Sequence, residues 1–210
     1  LAQDPSTLAG KVLRISPDGS VPADNPSAGS PVFALGFRNP WGLAVHPRTG
    51  AIYATENGNK SHDRIMVLRA GGNYGWPHVA GFKDDKGYVN GNWSRSSTPC
   101  RQLEFSDYEL PASVPRELES AYTQPFNEPL ATLFTAPAGF DFQRRACRGF
   151  EWICWPTIGI GSLEHYESGS DGIPGWDRVL LVTALKRGSL YVVPLKPGGQ
   201  SGDGRIYRYF

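Results

Sequence analysis

Short β-branched or aromatic runs, mostly of about four to eight residues, recur along the chain between turn signals, and no other feature limits the fold as strongly. "KVLRIS", "PVFALGF", "GLAVH", "AIYATE", "DRIMVLRA", "ATLFTA", "SLEHYE", "VLLVTAL", "SLYVVPL" and "RIYRYF" all have this form. Between them lie "PDGS", "PRTG", "PGGQ" and "SGDG", in which Gly supplies positive φ and Asp bonds back to the backbone. Such punctuation predicts antiparallel hairpins, and the 25 Gly, 18 Pro, 6 Trp and 9 Tyr against a single Met agree. Helical periodicity is weak, the best stretch being "ASVPRELESAY" at 112–122, where Ser113 is a candidate cap and Pro115 a candidate first helical residue.

About ten strands suit a sandwich, a barrel or part of a β-propeller with four-stranded blades. "GLAVHPRTGAIYATE" and "GWDRVLLVTALKRGSLYVVPL" each read strand, turn, strand, the alternation of successive blades. The expectation is therefore an all-β chain forming one incomplete propeller domain over 1–210, with about three to four blades and an excursion near 83–130. Leu1 is not a translation start, so a processed or partial chain is expected.

Bulk charge excludes some partners. With 21 Lys and Arg against 20 Asp and Glu the net charge is +1, which is no footprint for nucleic acid. No apolar run reaches the roughly 18 residues of a membrane span. Among catalytic patterns, Gly-x-Ser-x-Gly is absent, the histidines at 46, 62, 78 and 165 lack zinc-ligand spacing, and no phosphate-cradling Gly motif occurs. Cys147 and Cys154 are spaced to close a small disulfide loop or to be buried thiols, and Cys100 is left over.

The remaining polar residues sit in Gly- and Pro-rich turns. Arg38 and Asn39 precede Pro40, which biases Asn39 toward extended backbone. Lys186 and Arg187 follow an apolar run and precede Gly188, while "WICWPT" sets Trp152 and Trp155 beside Thr157. Cations and amides at strand ends beside aromatic faces suit a planar anionic ligand, although charged turns and a core aromatic cluster account for the same residues. Asp84 and Asp85 are in the same position: calcium ligands with backbone carbonyls, or solvated turn acids.

At this point the chain resembles a known family, the soluble pyrroloquinoline-quinone-dependent glucose and aldose sugar dehydrogenases with their sorbosone-dehydrogenase-like relatives. "GFRNPWGLAVHPRTG", "GGNYGWPHVAGFKDDKGY", "WICWPT" and "GWDRVLLVTALKRGSLYVVPL" carry the resemblance in order, as the central to C-terminal part. It implies a six-bladed β-propeller that oxidises an aldose to its lactone, hydride passing to the quinone and a proton to a His base. It further implies an external electron acceptor, a periplasmic or secreted location, and admits a homodimer.

Residue by residue, the resemblance makes Arg38, Asn39, Lys186 and Thr157 cofactor contacts and places Trp152 and Trp155 near cofactor and sugar. Carbonyls of Gly58 and Asn59 are implied for the cofactor calcium, and Cys147 with Cys154 for a disulfide. A structural calcium is implied at the Ala80 and Phe82 carbonyls, Tyr74, Asp84 and Glu117. Two departures stand out. Trp41 replaces a cofactor-contacting Gln, and Arg64 replaces an acidic calcium ligand, so Arg64 is expected to pair with Asp84 or Glu117. The base His is expected in a segment before Leu1, since none of the four histidines matches it. The competing function is a non-catalytic propeller module binding a ligand or protein.

Overall fold

The computed structural model describes residues 1–103, 110–142 and 149–210. Each of the ten segments read as strands contains one: β1 (Lys11–Leu13), β2 (Val32–Leu35), β3 (Pro40–Val45), β4 (Ile52–Glu56), β5 (Arg64–Leu68), β8 (Ala131–Thr132), β9 (Ile160–Tyr166), β10 (Val179–Ala184), β11 (Ser189–Pro194) and β12 (Tyr207–Tyr209). Two further strands of two residues, β6 (Asn90–Gly91) and β7 (Arg116–Glu117), pair with each other between β5 and β8. A single α-helical turn among the described residues, α1 (Glu151–Cys154), overlaps the start of "WICWPT".

Sheets run β3-β4-β5-β8 and β12-β11-β10-β9, both antiparallel and four-stranded, with β1-β2 as a separate pair. The all-β expectation of antiparallel four-stranded sheets therefore holds. Residues 112–122 correct a sequence expectation. They form no α-helix, only a three-residue 3-10 turn at Glu119–Ala121, because the Pro115 carbonyl accepts the Asn92 amide at 2.9 Å and the chain at Arg116–Glu117 is paired as a strand. Ser113 caps nothing; its carbonyl accepts the Ser97 amide at 3.1 Å.

Burial explains the order of the layers. Along β4 and β5 successive side chains point to opposite faces, and both faces are covered. Tyr53 and Ile65 enter a core shared with Ile160, Leu163, Leu180, Val182 and Val193 of the second four-stranded sheet. Ala54 and Met66, one residue on, join Ala34, Phe37 and Tyr74 on the side of β2. The strand at the sheet edge differs: Trp41, Leu43 and Val45 of β3 are exposed, while Gly42 and Ala44 face inward.

Close approach of β3 to β9 needs Gly42, where an added Cβ would lie 2.9 Å from the Ser162 Cα. Thr55 finishes this contact, its hydroxyl accepting the Gly42 amide at 2.9 Å and donating to the Gly161 carbonyl at 2.6 Å. At the far end of the same interface His46 stacks on His165, ring centroids 4.1 Å apart, and both are buried.

Burial holds the His165 imidazole below its usual range, and neighbouring His46 and Arg48 push the same way while Glu167 and Glu164 oppose them. The unfolded chain thus takes up this proton first, near pH 6.5, so the contribution is complete above that pH and is lost as pH falls below it. Thermal unfolding followed by circular dichroism is expected to show a melting temperature that drops below about pH 6. His165→Phe should flatten that acid limb relative to the unchanged protein.

Candidate cofactor site

One end of the β3–β9 contact collects most of the residues singled out in the sequence. Its centre is Asp63, a residue sequence reasoning passed over, fully buried just before β5. One carboxylate oxygen accepts the Gly58 amide at 2.7 Å, and the other accepts Ile158 at 2.8 Å and Ile160 at 3.1 Å. Burial pushes its carboxyl up, and the three amides oppose that. The turn after β4 and the segment entering β9 are thereby held against one another. Gly58 can be nothing larger, since a Cβ there would lie 1.9 Å from the Ser61 carbonyl oxygen.

On one side of Asp63 lies the Arg-Asn-Pro turn. β3 starts at Pro40, so the amides of Arg38 and Asn39 have no strand partner, and Glu56 supplies it: one carboxylate oxygen accepts them at 2.5 and 3.3 Å. The Arg38 guanidinium donates to the carbonyls of Asn57 at 3.3 Å and Gly58 at 3.2 Å, and lies 5.8 Å from the Trp76 ring centre. The Asn39 side chain is exposed with its backbone fixed. Asn59 joins Arg38, Lys60, Trp76, Tyr88 and Phe140 in lining a cleft of about 620 Å³, which neither Lys186 nor Thr157 reaches.

On the other side Lys186 follows β10. Its ammonium donates to the Thr157 hydroxyl at 2.8 Å and the Trp155 carbonyl at 3.0 Å. Burial brings it down to about 8, with Asp63 opposing. The Trp155 indole donates to the Phe142 carbonyl at 3.2 Å, and Trp152 on α1 is half-exposed. Asp63 therefore holds Gly58, whose carbonyl Arg38 bonds, against the segment after Thr157, whose hydroxyl Lys186 bonds, while Asn39 is held by Glu56. Trp41 faces solvent. Cys147 lies outside the described residues, so its pairing with Cys154 does too.

The histidines are engaged elsewhere. His46 and His165 stack together, His78 stacks on Tyr122 at 4.7 Å, and buried His62 bonds Ser61 through Nδ1. Burial holds His62 at about 4, so it is neutral at pH 7.

The residues assigned to a structural calcium are placed differently from the sequence expectation. Glu117 turns to the amides of Asn90 at 3.2 Å and Asn92 at 2.8 Å, across the β6–β7 pair. Glu119, fully buried, takes the Ala80–Asp85 loop instead and accepts the amides of Ala80, Asp84 and Asp85 at 2.9, 3.3 and 3.1 Å. Asp84 pairs with Lys86. Arg64 bonds neither Asp84 nor Glu117; it is ion-paired with Glu56 and donates to the Tyr74 carbonyl at 2.7 Å. Strand register is the reason, Glu56 and Arg64 being cross-strand partners in β4 and β5. Among the described residues no three His, Cys, Asp or Glu side chains converge as a metal cluster.

Two four-stranded antiparallel sheets packed against each other are the kind of unit from which β-propellers are built, and comparison gives the family. Residues 1–100 match the Glucose / Sorbosone dehydrogenase family. The chain is 41% identical over 200 residues to Quinoprotein glucose dehydrogenase B of Acinetobacter calcoaceticus, covering 93% of this chain and 42% of that protein. It is 26% identical over 210 residues to Aldose sugar dehydrogenase YliI of Escherichia coli K12, covering 98% and 44%. The solved PQQ-bound aldose sugar dehydrogenase of Streptomyces coelicolor shares the fold at a TM-score of 0.60 and 22% identity, over 100% of this chain and 41% of that one. By sequence and fold the chain is a relative of the quinoprotein glucose and aldose sugar dehydrogenases, and its sheets are blades of a β-propeller. It spans less than half the length of the relatives it matches.

Asp63→Asn retains the shape but turns an NH2 toward one set of amide donors, leaving buried donors unpaired at a cost of about 2 kcal/mol. Urea unfolding should show that loss as a lowered midpoint with an unchanged slope.

Proposed function

We propose that this chain is part of a quinoprotein oxidoreductase that oxidises an aldose to its lactone. The observation that carries the reading is that Asp63 holds the Gly58 turn, on which Arg38 rests, against the segment that follows Thr157, to which Lys186 is bonded. A quinone bearing several carboxylates needs fixed cations and amide donors with its hydration stripped away, and this end of the blades offers them. When bound, pyrroloquinoline quinone supplies a two-electron acceptor for the hydride of the sugar. Arg38 and Lys186 hold positive charge toward its oxygens, and Asn39 offers a neutral donor on a fixed turn. The carbonyls of Gly58 and Asn59 are hard oxygen ligands of the kind calcium takes.

Proton abstraction from the sugar hydroxyl is assigned outside these 210 residues, because each histidine here is stacked, buried or bonded away from Arg38 and Lys186. The exposed apolar strip Trp41, Leu43 and Val45 supports a further blade against β3, from additional chain or another copy. Export to an oxidising compartment goes with a Cys147–Cys154 disulfide, and reduction before alkylation is then expected to be necessary for labelling either cysteine in mass spectra.

Adding the quinone with calcium and following its absorbance tests the reading; reduction of a dye on adding glucose tests the chemistry. A spectrum that stays that of the free quinone would leave a non-catalytic ligand-binding propeller. Because Lys186 loses its proton near pH 8, quinone affinity is expected to fall as pH rises through that value. Lys186→Gln removes a charge-assisted bond of about 1.5–3 kcal/mol, so binding at neutral pH should weaken roughly tenfold to a hundredfold and lose that pH dependence.

A further inference from the structure

Arg64 is a fully buried guanidinium in a place where the family resemblance puts an acidic calcium ligand. Nothing about its surroundings is accidental to a cation. Its Nε faces the Glu56 carboxylate, Nη1 donates to the Tyr74 carbonyl at 2.7 Å, and Nη2 reaches the Gly36 carbonyl at 3.4 Å. Those are a carboxylate and two backbone oxygens, the donor chemistry of a hard divalent ion, here occupied by N–H groups. Tyr74 is itself one of the positions assigned to the structural metal. Other members of that set are also committed: the Glu117 oxygens accept the side-chain amides of Asn90 and Asn92, and Asp84 bonds the amide and ammonium of Lys86. A calcium ion at the same carbonyl would face a permanent positive charge.

We propose that Arg64 is a built-in replacement for the structural calcium, and that it acts as a positioning residue for the cofactor site through Glu56. Strand pairing supplies the route. Arg64, Glu56 and Pro40 are opposite one another across β5, β4 and β3. One Glu56 oxygen is held by Arg64, and the other accepts the amides of Arg38 and Asn39. Glu56 is buried, so without Arg64 its charge has no counter-ion, and the carboxylate loses the fixed orientation that those two amides need. Here the turn is ordered by a side chain of the chain itself.

The positioning role rests on reading Arg38 and Asn39 as quinone contacts, so the test is made on the full chain without quinone. Amide hydrogen exchange is measured for the unchanged protein, Arg64→Met and Arg64→Lys, with chelator or with excess calcium. In the unchanged protein neither additive should alter exchange or melting temperature. Arg64→Met is expected to speed exchange at Arg38 and Asn39 on the order of a hundredfold, beyond any uniform rise across β10 and β11, and Arg64→Lys should recover part of it. Arg64→Glu should melt lower in chelator and regain stability with calcium, a metal then taking the guanidinium's place. A uniform rise in exchange, or none at Arg38 and Asn39, overturns the positioning role. Calcium-dependent stabilisation of the unchanged protein that Asp84→Asn abolishes overturns the replacement, since Asp84 lies in the 80–85 loop and not at Gly58. Failure of quinone to bind, with these exchange results intact, would count against the proposed function alone.

Discussion

Everything at the cofactor end of this structure depends on one buried carboxylate accepting three backbone amides. Asp63 belongs to neither turn that it holds, yet it fixes Gly58 on one side and Ile158 and Ile160 on the other. Burying an anion is unfavourable unless its lone pairs are met, and amides that would otherwise be orphaned meet them. The solution is mutual: Gly58 lies beyond β4 and Ile158 before β9, while Ile160, paired in register with Ala184, turns its amide to the same carboxylate. Because Lys186 bonds Thr157 at the start of the second segment and Arg38 bonds the Gly58 carbonyl in the first, the spacing of the two cationic groups is set by a residue that solvent does not reach.

The blades supply the rigidity on which that arrangement stands. With both faces of β4 and β5 covered, Tyr53 and Ile65 on one side and Ala54 and Met66 on the other, the ends of those strands cannot shift without disturbing two cores at once. Gly42 and Thr55 then set how closely β3 lies against β9. Glu56 and Arg64 fall on the last rung of this doubly packed ladder, which is why a salt bridge there can orient a turn.

Strand content was legible because it rests on local signals: β-branched runs bounded by Gly and Pro survive into β1 to β5 and β8 to β12. The two-residue strands β6 and β7 carry no alternation to read, and the helix expected over 112–122 failed because a partner 23 residues away, Asn92, claimed the Pro115 carbonyl. Arg38 and Lys186 stand out in sequence because their turns are distinctive; residues that accept backbone amides do not. Asp63 looks like one more loop acid until its partners, about a hundred residues on, are in place. Glu117 and Glu119 share the same parity along an extended chain, so sequence could not choose between them. Arg64 was seen to be anomalous, but its partner is decided by register, which no single strand contains.

Glu119 has a consequence for how this chain can vary. By accepting the amides of Ala80, Asp84 and Asp85, with Ser120 donating its amide to Asp85, it clips the excursion shut at its base. What lies beyond the clip is a loop whose ends are already joined. Closing a longer loop costs little more than closing a short one, about 0.6 kcal/mol per doubling of length. Residues between Lys86 and Leu118 are thus the part of the chain where insertions and deletions can accumulate with least disturbance to the blades, and where a propeller of this kind can acquire a new rim without rebuilding its frame.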